Sequence, residues 1–143
     1  MISDVMFSSD SQEWETPREL FDQLNTEFQF KLDAASTDQN ALCTNHYTVE
    51  SDALEKDWGP GPVFCNPPYG RKLGDWVRKG RGEAIKGHTV VMLLPARTDV
   101  RWFHAEVLGK AEIRFIAKRL HFSKSKDAAP FPSMVVIWRG LKG

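Results

Sequence analysis

Asn66-Pro67-Pro68-Tyr69, directly after the apolar run Val63-Phe64-Cys65, is where residue type and spacing come nearest to a chemical device. A planar exocyclic amine such as that of adenine has its lone pair delocalised into the ring and attacks poorly. Hydrogen-bond acceptors on its N–H groups return electron density to the nitrogen as it approaches an electrophilic methyl. The Asn66 amide oxygen and the Pro67 carbonyl can be those acceptors, and Pro67 and Pro68, with φ fixed near about −65°, stiffen the turn that aims them. Tyr69 adds a flat face for an extruded base to stack on, a contact worth about 1–3 kcal/mol in single-strand binders. No covalent intermediate is needed. The competing reading is a proline-rich structural turn with a half-buried tyrosine.

Other reactive side chains offer less. Attack on a cytosine ring needs a thiolate over a ring carbon, whereas Cys65 follows Phe64 on an apolar strand and is expected to be buried and inert. Cys43 and Cys65 lack Cys-x-x-Cys spacing and read as reduced, cytoplasmic thiols. His46, His88, His104 and His121 show no ligand spacing, so no metal is expected. Arg71 and Lys72 follow the turn, and Lys118, Arg119, Lys124 and Lys126 fall in a loop between two strand-like runs. Solvated faces are the default for such residues, and contact with nucleic-acid phosphates is the functional alternative.

The elements that must hold the turn can be read around it. Thr16-Pro17-Arg18-Glu19 suits a helix start, with Thr16 as N-cap, Pro17 at the first helical position and Glu19 reaching back. Leu20, Phe21, Leu24 and Phe28 then share one face. A short strand follows and ends at Asp33. Asn40 to Tyr47 reads as a brief helix, and Asp52-Ala53-Leu54 as a turn. Gly59-Pro60-Gly61-Pro62 breaks the chain before the strand Val63-Phe64-Cys65. Trp76 to Lys86 has helical composition, and His88 to Pro95 reads as a strand buried on both faces. Thr98 or Asp99 can cap a helix running to about Leu108. Glu112 to Ile116 and Ser133 to Trp138 complete the list as strands. Strands alternating with helices and closing on a strand pair predict an α/β fold with a mostly parallel sheet and a terminal antiparallel strand. In such sheets ligands sit at the carboxyl ends of strands, where Asp33 and Asn66 both fall.

With 143 residues, 41% hydrophobic, the chain fits one globular domain with a real core, without room for a separate target-recognition domain. Apolar runs such as Val90-Val91-Met92-Leu93-Leu94 are far short of the roughly 20 residues of a membrane span. The formal net charge is zero, but it is unevenly laid down: residues 1–57 carry thirteen acidic and three basic side chains, and residues 58–143 carry six acidic and sixteen basic. The first part can face a cation and the second can face phosphates.

Glu13-Trp14-x-Thr16-Pro17-x-x-Leu20-Phe21-x-x-Leu24, Phe30-x-Leu32-Asp33-Ala34-Ala35, Asn40-Ala41, Asp52-x-Leu54, Trp58 and Asn66-Pro67-Pro68-Tyr69 occur in that order. Leu94-Pro95-Ala96-Arg97-Thr98, Trp102-Phe103 and Phe131-Pro132-Ser133 continue the set. Together they resemble the phage-type, Dam-like DNA N6-adenine methyltransferases over nearly the whole chain. The resemblance implies a compact class I (Rossmann-like) methyltransferase that uses S-adenosylmethionine to methylate the exocyclic N6 of an adenine flipped out of DNA, in a bacterial host cell of a phage or prophage. It implies Asn66, Pro67, Pro68 and Tyr69 as catalytic residues, and Trp14, Thr16, Pro17, Asp33, Ala34, Ala35 and Asp52 around the cofactor. Only 33 positions separate Asp33 from Asn66, about the length of one βαβ unit, so the intervening strands are expected to be compressed or missing. Target choice would rest on loops such as 117–131 or on a second copy in a homodimer. The same four-residue turn also serves RNA and protein-glutamine methyltransferases, and Asp33-Ala34-Ala35-Ser36 lacks a glycine-rich turn, which leaves room for a DNA-binding protein without catalysis.

Overall fold

The computed structural model describes residues 14–122 and 127–140. The aliphatic run at Val90 forms β3 (Val90–Pro95), buried at every position. A strand can be apolar throughout only where both of its faces are covered. Around it lies a five-stranded sheet made of β1 (Leu32–Asp33), β2 (Val63–Cys65), β3, β4 (Glu112–Phe115) and β5 (Ser133–Trp138), in the spatial order β1-β2-β3-β5-β4. β1, β2 and β3 are mutually parallel, with Leu32 opposite Val63 and Cys65 opposite Met92. β5 runs against both its neighbours, with Val90 opposite Trp138 and Ile113 opposite Val136. Four strands therefore share a direction. The reversed strand is last in the chain, as its sequence suggests, but it is inserted between β3 and β4 and does not close the sheet's edge.

Strand alternation sends neighbouring side chains to opposite faces, and each face has a helix. Phe64 points to α1 (Arg18–Phe28), whose Phe21 meets it edge-on at 5.3 Å and whose Leu24 is also buried. Met92, together with Trp138, faces α2 (Leu73–Ile85), where a Cβ at Gly80 would press into both. Glycine at that position sets how closely helix and sheet approach. The expected cap of α1 does not form: the helix begins after Pro17 with no side-chain cap, and the Thr16 hydroxyl is used elsewhere. Gln29 in the left-handed region (φ 55°) ends the helix and donates its N–H to the Asn25 carbonyl.

Between β1 and β2 no helix spans Asn40 to Tyr47. The reason is the open edge of β1. The Asp33 N–H donates to the Asn45 carbonyl (3.0 Å) and the Tyr47 N–H donates to the Asp33 carbonyl (2.9 Å), so this stretch is spent pairing with β1. Two 3-10 turns, Val49–Ser51 and Ala53–Glu55, follow around Asp52 at φ 57°. The connection is thus held without a further strand pair or a long helix.

Its far end is pinned at Trp58, 1% exposed, whose indole N–H donates to the Ala53 carbonyl (2.9 Å) and whose backbone N–H donates to Glu83 Oε1 (3.0 Å). Glu83, itself 1% exposed, also accepts from Lys79 (3.0 Å) and Lys86 (2.8 Å) through Oε2. After β3, the helix expected from Thr98 or Asp99 to Leu108 is reduced to a short helical stretch with a five-residue π turn, Phe103–Val107, which buries Phe103 and Val107. Among the described residues no helix is long and apolar enough to cross a membrane.

Candidate functional site

Parallel pairing brings the carboxyl ends of β1 and β2 side by side, with Asp33 in register with Phe64. Asp33 therefore lies beside the strand that runs into Asn66. There the chain encloses a cavity of about 480 Å³, within the usual range of about 300–1,000 Å³ for small-ligand pockets. Trp14, Thr16, Asp33, Ala34, Ala35, Asp52, Asn66, Pro68 and Lys72 all line it. Pro17, Pro67, Tyr69 and Arg71 do not.

Asn66 is held by its donor end. Its Nδ2 donates to the Trp14 carbonyl (2.7 Å) and to the Thr16 hydroxyl (3.1 Å). A carbonyl can only accept, so the Trp14 oxygen fixes which end of the amide is the NH₂. Oδ1 accepts no hydrogen bond from the described residues, and Asn66 is among the residues that line the cavity.

Asp33 is 2% exposed and takes backbone N–H bonds from Leu42 (3.0 Å) and Ala35 (3.3 Å). Burial pushes its carboxyl up to about 6, and the two backbone donors only partly offset that. At neutral pH it is an anion in a low-dielectric wall, which favours a cation nearby. Exposed Asp52 stands on the same cavity, as do Glu15 and Arg18.

Tyr69 departs from the expectation of an open stacking face. Its ring is 2% exposed, meets Phe131 edge-on at 5.5 Å, and its hydroxyl donates to the Leu93 carbonyl (3.2 Å). Burial raises the phenol far above its ordinary value, keeping it a donor. Trp14, Phe122 and Phe131 extend the contact, with Trp14 at 5.4 Å from Phe122 and 5.2 Å from Phe131. Tyr69 thus pins the end of the turn to β3. Pro67 is buried and Pro68 exposed.

Cys65 is fully buried and burial holds its thiol well above the ordinary value, while Cys43 is pushed up to about 11 by burial and by Asp33, so neither is a thiolate at neutral pH. Asp57, Glu83 and His88 place donor atoms within 4.8 Å of one another, and Lys79 and Lys86 both pair with Glu83 of that group. Arg71, Lys72, Lys118 and Arg119 are exposed. Lys124 and Lys126 lie outside the described residues.

Several wall residues escaped the sequence reading. Asn40 Nδ2 donates to Glu15 Oε2 (3.0 Å), joining two segments 25 positions apart across the cavity rim. Val49, 88% exposed, and Trp76 also line it. Nothing in local patterning separates a solvated Glu15 from one in a wall.

A mixed α/β sheet with helices on both faces, carrying an acid-lined cavity at the carboxyl ends of parallel strands, is consistent with a methyltransferase-like fold. The chain belongs to the family described as DNA N-6-adenine-methyltransferase (Dam), whose profile matches residues 5–143. It is 34% identical over 105 residues to the DNA N-6-adenine-methyltransferase of Escherichia phage T1, covering 72% of this chain and 44% of that protein. It is 30% identical over 138 residues to the DNA N-6-adenine-methyltransferase of Haemophilus phage HP1 (strain HP1c1), covering 91% of this chain and 80% of that protein. The chain thus matches less than half the length of the T1 protein.

Proposed function

We propose that the protein methylates the exocyclic N6 of an adenine turned out of DNA, with S-adenosylmethionine as methyl donor. The observation that carries this is Asn66: on a residue that lines the cavity, the NH₂ is occupied by Trp14 and Thr16, which leaves the oxygen as the end free to accept. Family membership supports the substrate class.

The cavity's chemistry fits the cofactor. Asp33, Asp52 and Glu15 offer carboxylates for an ammonium group and for sugar hydroxyls, Arg18 offers a cation for a carboxylate, and Val49, Leu54 and Ala53 offer apolar surface for a purine. When bound, S-adenosylmethionine supplies an electrophilic methyl group on a sulfonium sulfur. The chain's own contribution is positional and electrostatic. Asn66 Oδ1 and the Pro67 carbonyl accept from the target amine, so that its lone pair is less committed to the ring and more available for attack. The acceptors cost little reorganisation, because the prolines, the Tyr69 anchor and the amide's own two bonds hold the turn. Arg71, Lys72, Lys118 and Arg119 supply charge for DNA phosphates.

Asn66→Ala is expected to abolish methyl transfer while leaving the affinity for S-adenosylhomocysteine, measured by calorimetry, within a few-fold of wild type. Turnover close to wild type would remove Asn66 from the mechanism. Tritiated methyl transfer into separate DNA, RNA and protein pools tests the substrate: label in DNA adenine supports the reading, and label confined to RNA or to protein overturns it.

A further inference from the structure

We infer that Thr16 is a positioning residue for methyl transfer, holding against tilt the Asn66 amide whose direction the Trp14 carbonyl fixes, in addition to lining the cofactor cavity. This rests on the catalytic reading of Asn66. Three observations support it. The Thr16 hydroxyl and the Trp14 carbonyl are the two acceptors for Asn66 Nδ2, at 3.1 and 2.7 Å, from a segment some 50 positions away in the chain. Thr16 is 9% exposed, so water is a poor substitute for its hydroxyl. It also forgoes the helix-capping bond that its place before Pro17-Arg18 offers, since α1 has no side-chain cap.

That last observation separates a positioning role from a merely local one. A threonine ahead of a helix ordinarily gives its oxygen to the helix amides, a bond worth about 1 kcal/mol. Here the same oxygen faces the amide of a turn at the end of β2. With two acceptors on the NH₂ end, the opposite orientation of Asn66 would set Oδ1 against the Trp14 carbonyl, oxygen to oxygen. Removing the hydroxyl leaves the Trp14 carbonyl as a single tether, about which the amide can tilt. The acceptor oxygen is then spread over directions that no longer meet an incoming amine, although the cavity keeps its shape and apolar lining.

Thr16→Val keeps the branched shape and removes the hydroxyl, and Thr16→Ser restores it. The expected result is a fall in kcat of about tenfold for Thr16→Val, the scale of one hydrogen bond. KM for the methyl donor, the affinity for S-adenosylhomocysteine and the melting temperature should remain close to wild type, and Thr16→Ser should recover most of kcat. If Thr16→Val weakens S-adenosylhomocysteine binding and saturating cofactor restores kcat, Thr16 acts as a cofactor ligand and the inference fails. If kcat, affinity and melting temperature fall together and Thr16→Ser rescues none of them, the role is structural and the inference also fails. An unchanged kcat in Thr16→Val overturns it directly. A wild-type protein that transfers no methyl group to DNA would instead sink the functional reading beneath it, so the two failures are distinguishable.

Discussion

At the scale of single residues, the site is built by assigning each polar group a partner and leaving one acceptor over. Asn66 spends its two donors on Trp14 and Thr16, and Tyr69 spends its hydroxyl on Leu93. Asp33 shows the same economy with a different outcome. Its carboxylate is satisfied by Leu42 and Ala35, but burial still lifts it to about 6. The sign of the consequence for stability follows from linkage. Between the ordinary value of 3.8 and about 6 the unfolded chain has released this proton while the folded chain keeps it, so Asp33's share of stability declines as pH rises through that window. For a cationic ligand the direction reverses, because only the ionised carboxylate attracts it. Calorimetric affinity for S-adenosylhomocysteine, which carries an ammonium group, should therefore rise between pH 5 and 7 and level off above. A flat profile would place the ligand's ammonium away from Asp33. The position of Asn66 at a strand end was legible from an apolar run that stops at a polar residue, and that of Asp33 from the alternation of Phe28, Phe30 and Leu32 with Gln29 and Lys31. The burial of Tyr69 was not, because Phe131, whose ring packs against it, is distant in sequence and no local pattern announces its arrival.

Among the elements, those with strong periodicity or a continuous apolar run came through with their boundaries nearly intact: α1 at Arg18–Phe28, β2 at Val63–Cys65, β5 at Ser133–Trp138. The misses share a cause. Thr16 did not cap α1, and Asn40 to Tyr47 did not coil, because tertiary partners outbid local ones: Asn66 for the Thr16 hydroxyl, and the edge of β1 for the main chain at Asn45 and Tyr47. The connection from β1 to β2 has so little regular structure that its pin at Trp58 matters to the whole cavity wall. There Glu83 is buried, which raises its pKa, but bonds from Lys86, the Trp58 N–H and Lys79 outweigh burial and hold it below the usual carboxylate value. Its contribution is thus present above that usual value and is lost as pH falls through the lowered one. Glu83→Ala leaves the Trp58 N–H without its acceptor in the core, and should cost about 1–3 kcal/mol in denaturant unfolding at pH 7. The difference from wild type should shrink on acidification to pH 3. A constant difference would show that the carboxylate's charge is not what stabilises the pin.

For the whole molecule, the uneven charge takes on a spatial meaning around the cavity. Acidic Glu15, Asp33 and Asp52, from the first 57 residues, outnumber Arg18 and Lys72 in the cavity lining, whereas exposed Arg71, Lys118 and Arg119, outside that lining, come from the remainder. Such a division lets one molecule hold a cationic ligand and a polyanion without either repelling the other. If Lys118 and Arg119 meet phosphates, replacing both with alanine should weaken DNA binding similarly for unrelated sequences. It should also reduce the slope of log affinity against log salt by about two, one per lost contact. An unchanged slope in fluorescence anisotropy titrations would move the DNA path off this loop.

The place of β5 has one more implication, for synthesis. β4 finds its pairing partner only in β5, and β3 has β5 along one whole side. Emerging from a ribosome, the chain would carry β1, β2 and β3 as an incomplete sheet with one raw aliphatic border, and β4 with nothing to lie against. Those borders meet only when residues 133–138 have been delivered, so it is this one segment that makes the growing sheet safe from sticking to its neighbours.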